Sequence, residues 1–545
     1  MKVKTAIAKI LKMEGVEYAP CFPGNPLFDP CAEEGIRIIL FRNENVAAHA
    51  TDGFTRASFG KRTGLLLVME GPGIEVAFPG IRQAASDNTP MLVVTGAEPS
   101  RRITTPPYFD AVATFQPLVK YAETIYFPER TFEIMRRAFT QLRMGKPGPV
   151  LVALPKDVAN MELTDDVFEY RPVKTAKPAA DPADITAAAR MLLSAKNPII
   201  RAGQGMLYAQ AWDELKYLAE YLQIPVTSTL NSKGVFPEDH PLSLGCGGRG
   251  HPGTVTHFYA KADVVFAAAS SCLVDTYIYP VPPGKKLVQL TIDESDVNKD
   301  YPVEQAIIGD AKLAMGQLIE EVKKLTNGKP RPRNDGLIEE IQTVHKEWLK
   351  SQWLDKLTSR EKPVHPHRVY WDIMKALDRK ETILVPDAGS PRDALSAFWQ
   401  ALIPGGYIGF GKDHMLGSGL GLALGAKLAR PDKTVVHIGG DAAFGQAGMD
   451  WETAVREKIP IINVVLNNGR MSGTQKLYPI ACELHHINLM SGDYSKIAEG
   501  MGSYTEKVEN PEDIIPAVQR AKKITDCGAP ALLEFITRLE ESAPT

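Results

Sequence analysis

In the last third of the chain, an apolar run from Thr434 to Ile438 leads into Gly439-Gly440-Asp441-Ala442-Ala443-Phe444-Gly445, and a second run, Pro460 to Leu466, ends in Asn467-Asn468-Gly469-Arg470. Between Ala442 and Asn467 lie 24 residues, enough for one helical crossover (Met449 to Lys458) between neighbouring parallel strands. This spacing predicts that both polar clusters sit at the carboxyl ends of adjacent strands, the crevice where open α/β sheets bind ligands. Gly440, Ala442 and Ala443 are small enough to let a phosphate group reach backbone N–H groups. Asp441 and Asn468 add side-chain oxygens. With a backbone carbonyl, that of Arg470, they form the oxygen set that suits a hard divalent ion shared with phosphates and water. A Gly-Asp turn after a strand is common by itself, and the Asn-Asn pair at crossover distance is what points to a metal–diphosphate unit.

The elements that must position these residues follow from the apolar pattern. Short β-branched runs alternate with amphipathic helical stretches from end to end, among them Ile36–Phe41, Thr63–Met69, Met91–Thr95, Thr434–Ile438 and Pro460–Leu466. That alternation predicts an α/β fold of doubly wound parallel sheets with helices on both faces. Two aperiodic stretches, Arg171 to Asp184 and Gly328 to Asp335, read as linkers. They divide the chain into domains over residues 1–170, 180–330 and 360–545, with a helical connector between Leu337 and Leu357. A chain of 545 residues is about the right length for three such cores.

Composition narrows the partners. The 62 basic and 65 acidic residues nearly cancel and form no block, so no footprint for nucleic acid is expected. No run of eighteen apolar residues occurs, which argues against a membrane span, and the first residues read as an amphipathic helix instead of a signal peptide. Six cysteines without CxxC or Cys/His spacing are expected to be reduced thiols in a cytoplasmic protein.

The Gly440-Asp441-Ala442 to Asn467-Asn468 arrangement resembles the signature of thiamine diphosphate-dependent enzymes, which opens Gly-Asp-Gly and closes Asn-Asn; here the third glycine is alanine. The first third carries a second match, Arg42-Asn43-Glu44 followed by an alanine-rich helix with Asp52-Gly53-Phe54-Thr55-Arg56. The resemblance implies thiamine diphosphate and Mg²⁺ as cofactors. Asp441, Asn468 and the Arg470 carbonyl would hold the metal, and the turn Gly440 to Ala443 would hold the diphosphate. Glu44 would be the catalytic carboxyl at the aminopyrimidine ring, whose imino form can take the thiazolium C2 proton. In isolation, Glu44 reads as a glutamate opening a helix.

Gly71-Pro72-Gly73, Asp87-Asn88-Thr89-Pro90, Pro147 to Val158 and Phe236 to Leu242 extend the likeness to the acetolactate synthase branch. By the same resemblance Gln116, after Phe115, is a hydrogen-bond donor to a substrate oxygen. The resemblance likewise implies that Leu416 would be the wedge that bends the cofactor, and that Gly389 and Ser390 would cap the diphosphate from another strand end. The chain departs from that branch in the central third. Gly203-Gln204-Gly205 is a compatible turn, but Ala269 to Asp275 lacks the arginines and carboxylates of the FAD-binding run, which puts FAD there, or a CoA or ADP moiety, in question.

The Gly440 to Gly445 variant and the Gly203 to Ala211 turn also resemble 2-hydroxyacyl-CoA lyases and oxalyl-CoA decarboxylases, which leaves three substrate-level readings open: one on a 2-oxo acid and two on an acyl-CoA. His49, His414, His485 and His486 are candidates for a further catalytic role. The resemblance also implies a homodimer or homotetramer. A non-catalytic regulatory or scaffold relative is the competing reading, which retention of Glu44, Asp441 and Asn468 disfavours.

Overall fold

A computed structural model describes residues 1–163, 168–409, 411–413 and 415–540. Its named strands pair throughout in parallel, in three sheets. The first contains β1 (Tyr18–Cys21), β2 (Arg37–Leu40), β3 (Gly64–Val68), β4 (Met91–Ala97), β5 (Tyr121–Thr124) and β6 (Val150–Pro155) in the order β2-β1-β3-β4-β6-β5. The second contains β7 (Pro198–Ala202), β8 (Val226–Ser228), β9 (Ser243–Cys246), β10 (Val264–Ala268), β11 (Lys286–Thr291) and β12 (Gln305–Ile308), ordered β12-β11-β10-β7-β8-β9. The third contains β13 (Thr382–Pro386), β14 (Thr434–Gly440), β15 (Ile462–Asn467), β16 (Tyr504–Val508) and β17 (Ala531–Ile536), ordered β13-β14-β15-β17-β16.

This is the α/β class expected from the alternating pattern. Strands such as β3, β6, β7 and β13 are buried at every position. Apart from Arg201 in β7 and Thr382 in β13, they read as apolar runs, as expected of strands in parallel sheets covered on both faces.

By packing, the chain forms two compact units. One comprises Met1–Ala176, Asp413–Pro431 and Gly445–Ile461; the other comprises Lys177–Lys412, Asp432–Phe444 and Ile462–Thr545. In the first unit the helix Glu44–Ala57 is buried along its whole length and packs against the helix Ser418–Ala429. The two backbones nearly touch. A Cβ on Gly53 would lie 2.1 Å from the Leu422 carbonyl oxygen, and one on Gly425 would lie 1.8 Å from that of Ala50. Only glycine fits at this crossing.

In the second unit the stretch read as a connector forms the helices Asp335–Gln352 and Leu354–Leu357. Two local details differ from the sequence reading. β14 runs on to Gly440 and a helix, Asp441–Ala447, begins at once, so the turn expected over Gly440 to Ala443 is a direct switch from strand to helix. The crossover helix expected over Met449 to Lys458 is a 3₁₀ turn, Gly448–Asp450, followed by a helix, Trp451–Arg456. The Asp450 carboxylate accepts from Thr453 Oγ1 at 3.0 Å and from the Arg42 backbone N–H at 2.7 Å, which ties down that first turn.

Candidate active site

β14 and β15 are paired neighbours, with Gly440 in register with Leu466, so the two polar clusters do share one end of the third sheet. Asp441 is buried, and both of its oxygens are held: Oδ1 accepts the Ala442 N–H at 2.7 Å and Oδ2 accepts the Gly469 N–H at 2.9 Å. The second bond crosses from β14 to the end of β15 and fixes the turn that carries Asn468. Gly469 sits at φ +63°, where a side chain would be strained. Burial raises the Asp441 pKa, while the surrounding backbone N–H groups pull it down. Bound cation would offset that burial.

The paired asparagines divide their work. Asn467 Nδ2 donates to Glu534 Oε1 at 2.7 Å and to the Gly492 carbonyl at 3.2 Å, which anchors it to β17. Asn468 is half-buried and its Oδ1 accepts the Arg470 N–H at 2.9 Å. Arg470 is exposed. β13, which pairs with β14, delivers Asp387 and then Gly389 (φ +91°) at the start of the helix Ser390–Phe398. Among the described residues, no atom would crowd a Cβ on Gly389, and around Gly440 only the Leu466 carbonyl comes within 4.0 Å. Space beside backbone N–H groups and an all-oxygen donor set of carboxylate, amide and carbonyl fit a metal-bound diphosphate.

Beneath these strand ends lies a polar cluster that sequence reasoning missed. His437, within β14, is buried; its Nδ1 is 2.7 Å from Asn463 Oδ1 on β15 and its Nε2 is 3.4 Å from Asp387 Oδ2. A signal existed, since a His and an Asn in otherwise apolar strands must find partners, and strand register makes them opposite neighbours.

The first unit holds the other expected catalytic group. Glu44 opens its helix after Asn43, whose side chain accepts the Asn45 N–H at 2.8 Å. It is buried, and burial raises its pKa. A Cβ on Gly73 would lie 3.4 Å from Glu44 Oε1 and 3.0 Å from the Met69 side chain, so Gly73 packs beside the carboxyl and the tight neighbour is Met69. Arg56 is clamped by Asp52 (2.6 and 2.9 Å) and Asp87 (3.0 Å); the matched motif residues there brace the helix.

Leu416 is half-buried just before Gly417 (φ +87°). Its neighbour Met415 receives a contact from Asn45 Nδ2 at 3.2 Å, close in sequence to Glu44. Gln116 is exposed at the C-terminal end of the helix Ala111–Phe115. That helix borders a cavity lined by Glu70, Gly71, Gly96, Tyr108, Asp110 and Tyr126, but Gln116 is not among its lining residues.

Each unit therefore gathers its own set: Glu44, Gln116 and Leu416 in the first, and Gly389, Ser390, Gly440, Asp441, Ala442, Ala443, Asn468 and Arg470 in the second. His49 is buried in the helix crossing, His485 and His486 are exposed, and His414 lies outside the described residues. In the second sheet, a Cβ on Gly203 would lie 2.3 Å from the Ala269 carbonyl oxygen, so close packing by the chain itself accounts for that small residue.

Residues 1–121 match the thiamine pyrophosphate enzyme N-terminal TPP binding domain, residues 185–318 the central domain and residues 387–535 the C-terminal TPP binding domain. The chain is 30% identical to a probable acetolactate synthase large subunit of Methanococcus aeolicus, over 97% of this chain and 91% of that protein. It is also 30% identical to a glyoxylate carboligase of Escherichia coli O157:H7, over 98% and 93%. A crystal structure from Mycobacterium smegmatis, assigned to the thiamin diphosphate-dependent enzymes, superposes with a TM-score of 0.83 at 23% identity, covering 99% of this chain and 100% of that one. At that identity the likeness shows the fold. Matches to all three parts of one family along a single chain leave one assignment: this chain belongs to the thiamine pyrophosphate-dependent enzymes, in their acetolactate synthase-like branch.

Proposed function

We propose that the chain is a thiamine diphosphate- and Mg²⁺-dependent carbon–carbon lyase or ligase that acts on a 2-oxo acid by decarboxylation, carboligation or both. The observation that supports this most is Asp441, a buried carboxylate at a strand end with both oxygens oriented by backbone N–H groups, one of them that of Gly469 in the turn that carries Asn468. Asp441, Asn468 and the Arg470 carbonyl would bind the metal. Gly440, Ala442, Ala443, Gly389 and Ser390 would bind the diphosphate through N–H groups and open space. In this reading residues 1–170 serve the pyrimidine end, 360–545 the diphosphate end, and 180–330 the central part.

Thiamine diphosphate, when bound, supplies a nucleophilic carbon and an electron sink for a carboxylate lost as CO₂. Glu44 holds the proton at the cofactor's aminopyrimidine nitrogen, a task suited to a carboxyl whose pKa burial has raised. Leu416 orients the cofactor, and Gln116 donates to a substrate or product oxygen; both roles rest on the family resemblance. That resemblance also supports a homodimer or homotetramer in the cytoplasm. Among the described residues no helix is long and apolar enough to cross a membrane.

The test is direct. With thiamine diphosphate and Mg²⁺ added, pyruvate and glyoxylate are expected to release CO₂ and give a hydroxy-ketone or hydroxy-acid product. Turnover of acyl-CoA substrates alone would move the assignment to the acyl-CoA lyases. Absence of product from any 2-oxo acid or acyl-CoA, with the folded chain, would overturn it.

A further inference from the structure

A second group of ligating side chains lies where the third sheet's first helix meets the end of the chain. His365 caps the helix Pro366–Ala376, its Nδ1 accepting the His367 N–H at 3.2 Å. The returning C-terminal segment runs alongside: Val364 N–H donates to the Ile536 carbonyl at 3.1 Å, and Arg538 N–H donates to that of Val364 at 3.0 Å. These bonds bring Glu540 to the two imidazoles. Its Oε2 lies 3.1 Å from His365 Nε2 and 4.0 Å from His367 Nδ1. One ligand atom from each of the three residues can be chosen so that all lie within 4.8 Å of one another.

The three side chains are buried, His365 at 2%, His367 at 0% and Glu540 at 9% exposure. Aromatic rings wall them in, with Trp353 4.9 Å from His367 between ring centroids and Phe398 at 6.4 Å. Among the described residues, four of their polar atoms, His365 Nε2, both ring nitrogens of His367 and Glu540 Oε2, have no hydrogen-bond partner. Buried polar atoms almost always have one, so a group of such orphans calls for a shared partner. The other carboxylate oxygen, Oε1, is held by Lys356 at 3.0 Å, which leaves Oε2 for the two imidazoles. Lys356 and Arg538 both lower the two histidines, but burial is the larger cause; it brings His365 down to about 4 and His367 well below its ordinary value.

Two imidazoles and one carboxylate make the nitrogen-rich donor set of zinc-class ions; Mg²⁺ prefers oxygen throughout. Bonds of about 2.0–2.1 Å in a tetrahedron put ligand atoms roughly 3.3 Å apart, a value that the 3.1 and 4.0 Å separations bracket. We propose that His365, His367 and Glu540 form a structural site for one borderline divalent transition ion of the zinc class, which pins the C-terminal segment to the start of the third sheet's first helix. The fourth position falls to water. With the ion on Nε2, the His365 ring carries its proton on Nδ1 and gives up the long cap contact from His367. The site does not depend on the thiamine diphosphate reading.

Full-length protein stripped with a chelator and titrated with Co²⁺ tests this. The expected result is one equivalent bound with the visible absorption of a low-coordinate cobalt ion, displaced by Zn²⁺ and not by millimolar Mg²⁺. H365Q, H367Q and E540Q should each abolish the signal, whereas D441N should keep it. X-ray absorption on the zinc-loaded wild-type chain should count two imidazoles and no sulfur, a readout that holds even if a variant fails to fold. No saturable binding at one equivalent, a signal that persists in all three variants, or a sulfur or imidazole-poor shell would overturn the site and leave water as the shared partner.

Discussion

Asp441 and Glu44 are both carboxyls taken out of water, but their surroundings differ. Asp441 has its oxygens fixed by two backbone N–H bonds, an arrangement that favours the charged form and prepares it for a cation. Replacing it with Asn keeps the acceptor on one side and removes the charge. In the proposed reading D441N should weaken Mg²⁺-dependent cofactor binding at least tenfold, measured by calorimetry, with little change in the thermal midpoint of the cofactor-free chain. Glu44 is buried beside Gly73 and has a raised pKa. E44Q should bind cofactor about as tightly as the parent and lower kcat by roughly 10² or more, the usual scale for losing a positioned proton-transfer group. Unchanged turnover in E44Q would remove Glu44 from the chemistry, whereas absence of turnover in the parent as well would favour a non-catalytic relative.

At the level of elements, the crossing of the helices Glu44–Ala57 and Ser418–Ala429 sets where Glu44 stands. Gly425 has no room for a Cβ beside the Ala50 carbonyl, and backbone cannot yield as a flexible side chain does. G425A should cost about 1–3 kcal/mol or more by overpacking, seen as a lower thermal midpoint together with reduced activity. Asp450 is the second device, joining the 3₁₀ turn to the Arg42 backbone just before Glu44. Burial raises its pKa from 3.8 to about 6. A carboxyl raised in the folded chain holds its proton more tightly there than when unfolded. Its favourable contribution is therefore complete below about pH 4 and is lost as pH rises through about 6, for a total of roughly 3 kcal/mol. Between pH 4 and 6 the parent should lose stability relative to D450N, which cannot ionise; parallel unfolding profiles would show that Asp450 titrates normally.

For the whole molecule, ligand binding is expected to appear as stability. At one hundred times its Kd, a ligand that binds only the folded state adds about 2.7 kcal/mol. Thiamine diphosphate with Mg²⁺ should therefore raise the thermal midpoint of the parent chain, and the rise should vanish in D441N at the same concentrations. The same measurement with Zn²⁺ should instead depend on His365, His367 and Glu540, which separates the two cation readings on one instrument.

The parallel α/β class could be read from sequence alone, because strands buried on both faces must be continuous apolar runs and helices must be amphipathic. The shared strand end of Asp441 and Asn468 was legible for a related reason: a crossover of that length joins neighbouring parallel strands, and β14 and β15 are neighbours. Tertiary structure alone decided the contacts between residues far apart in the chain. Asp450 reaches the Arg42 backbone, Glu540 reaches His365 and His367, and Gly425 meets Ala50. Each of these residues looks ordinary in its own segment. Periodicity and spacing report what a short stretch of chain must bury, whereas the partner of a buried carboxylate, imidazole or bare backbone is chosen only when distant segments pack together.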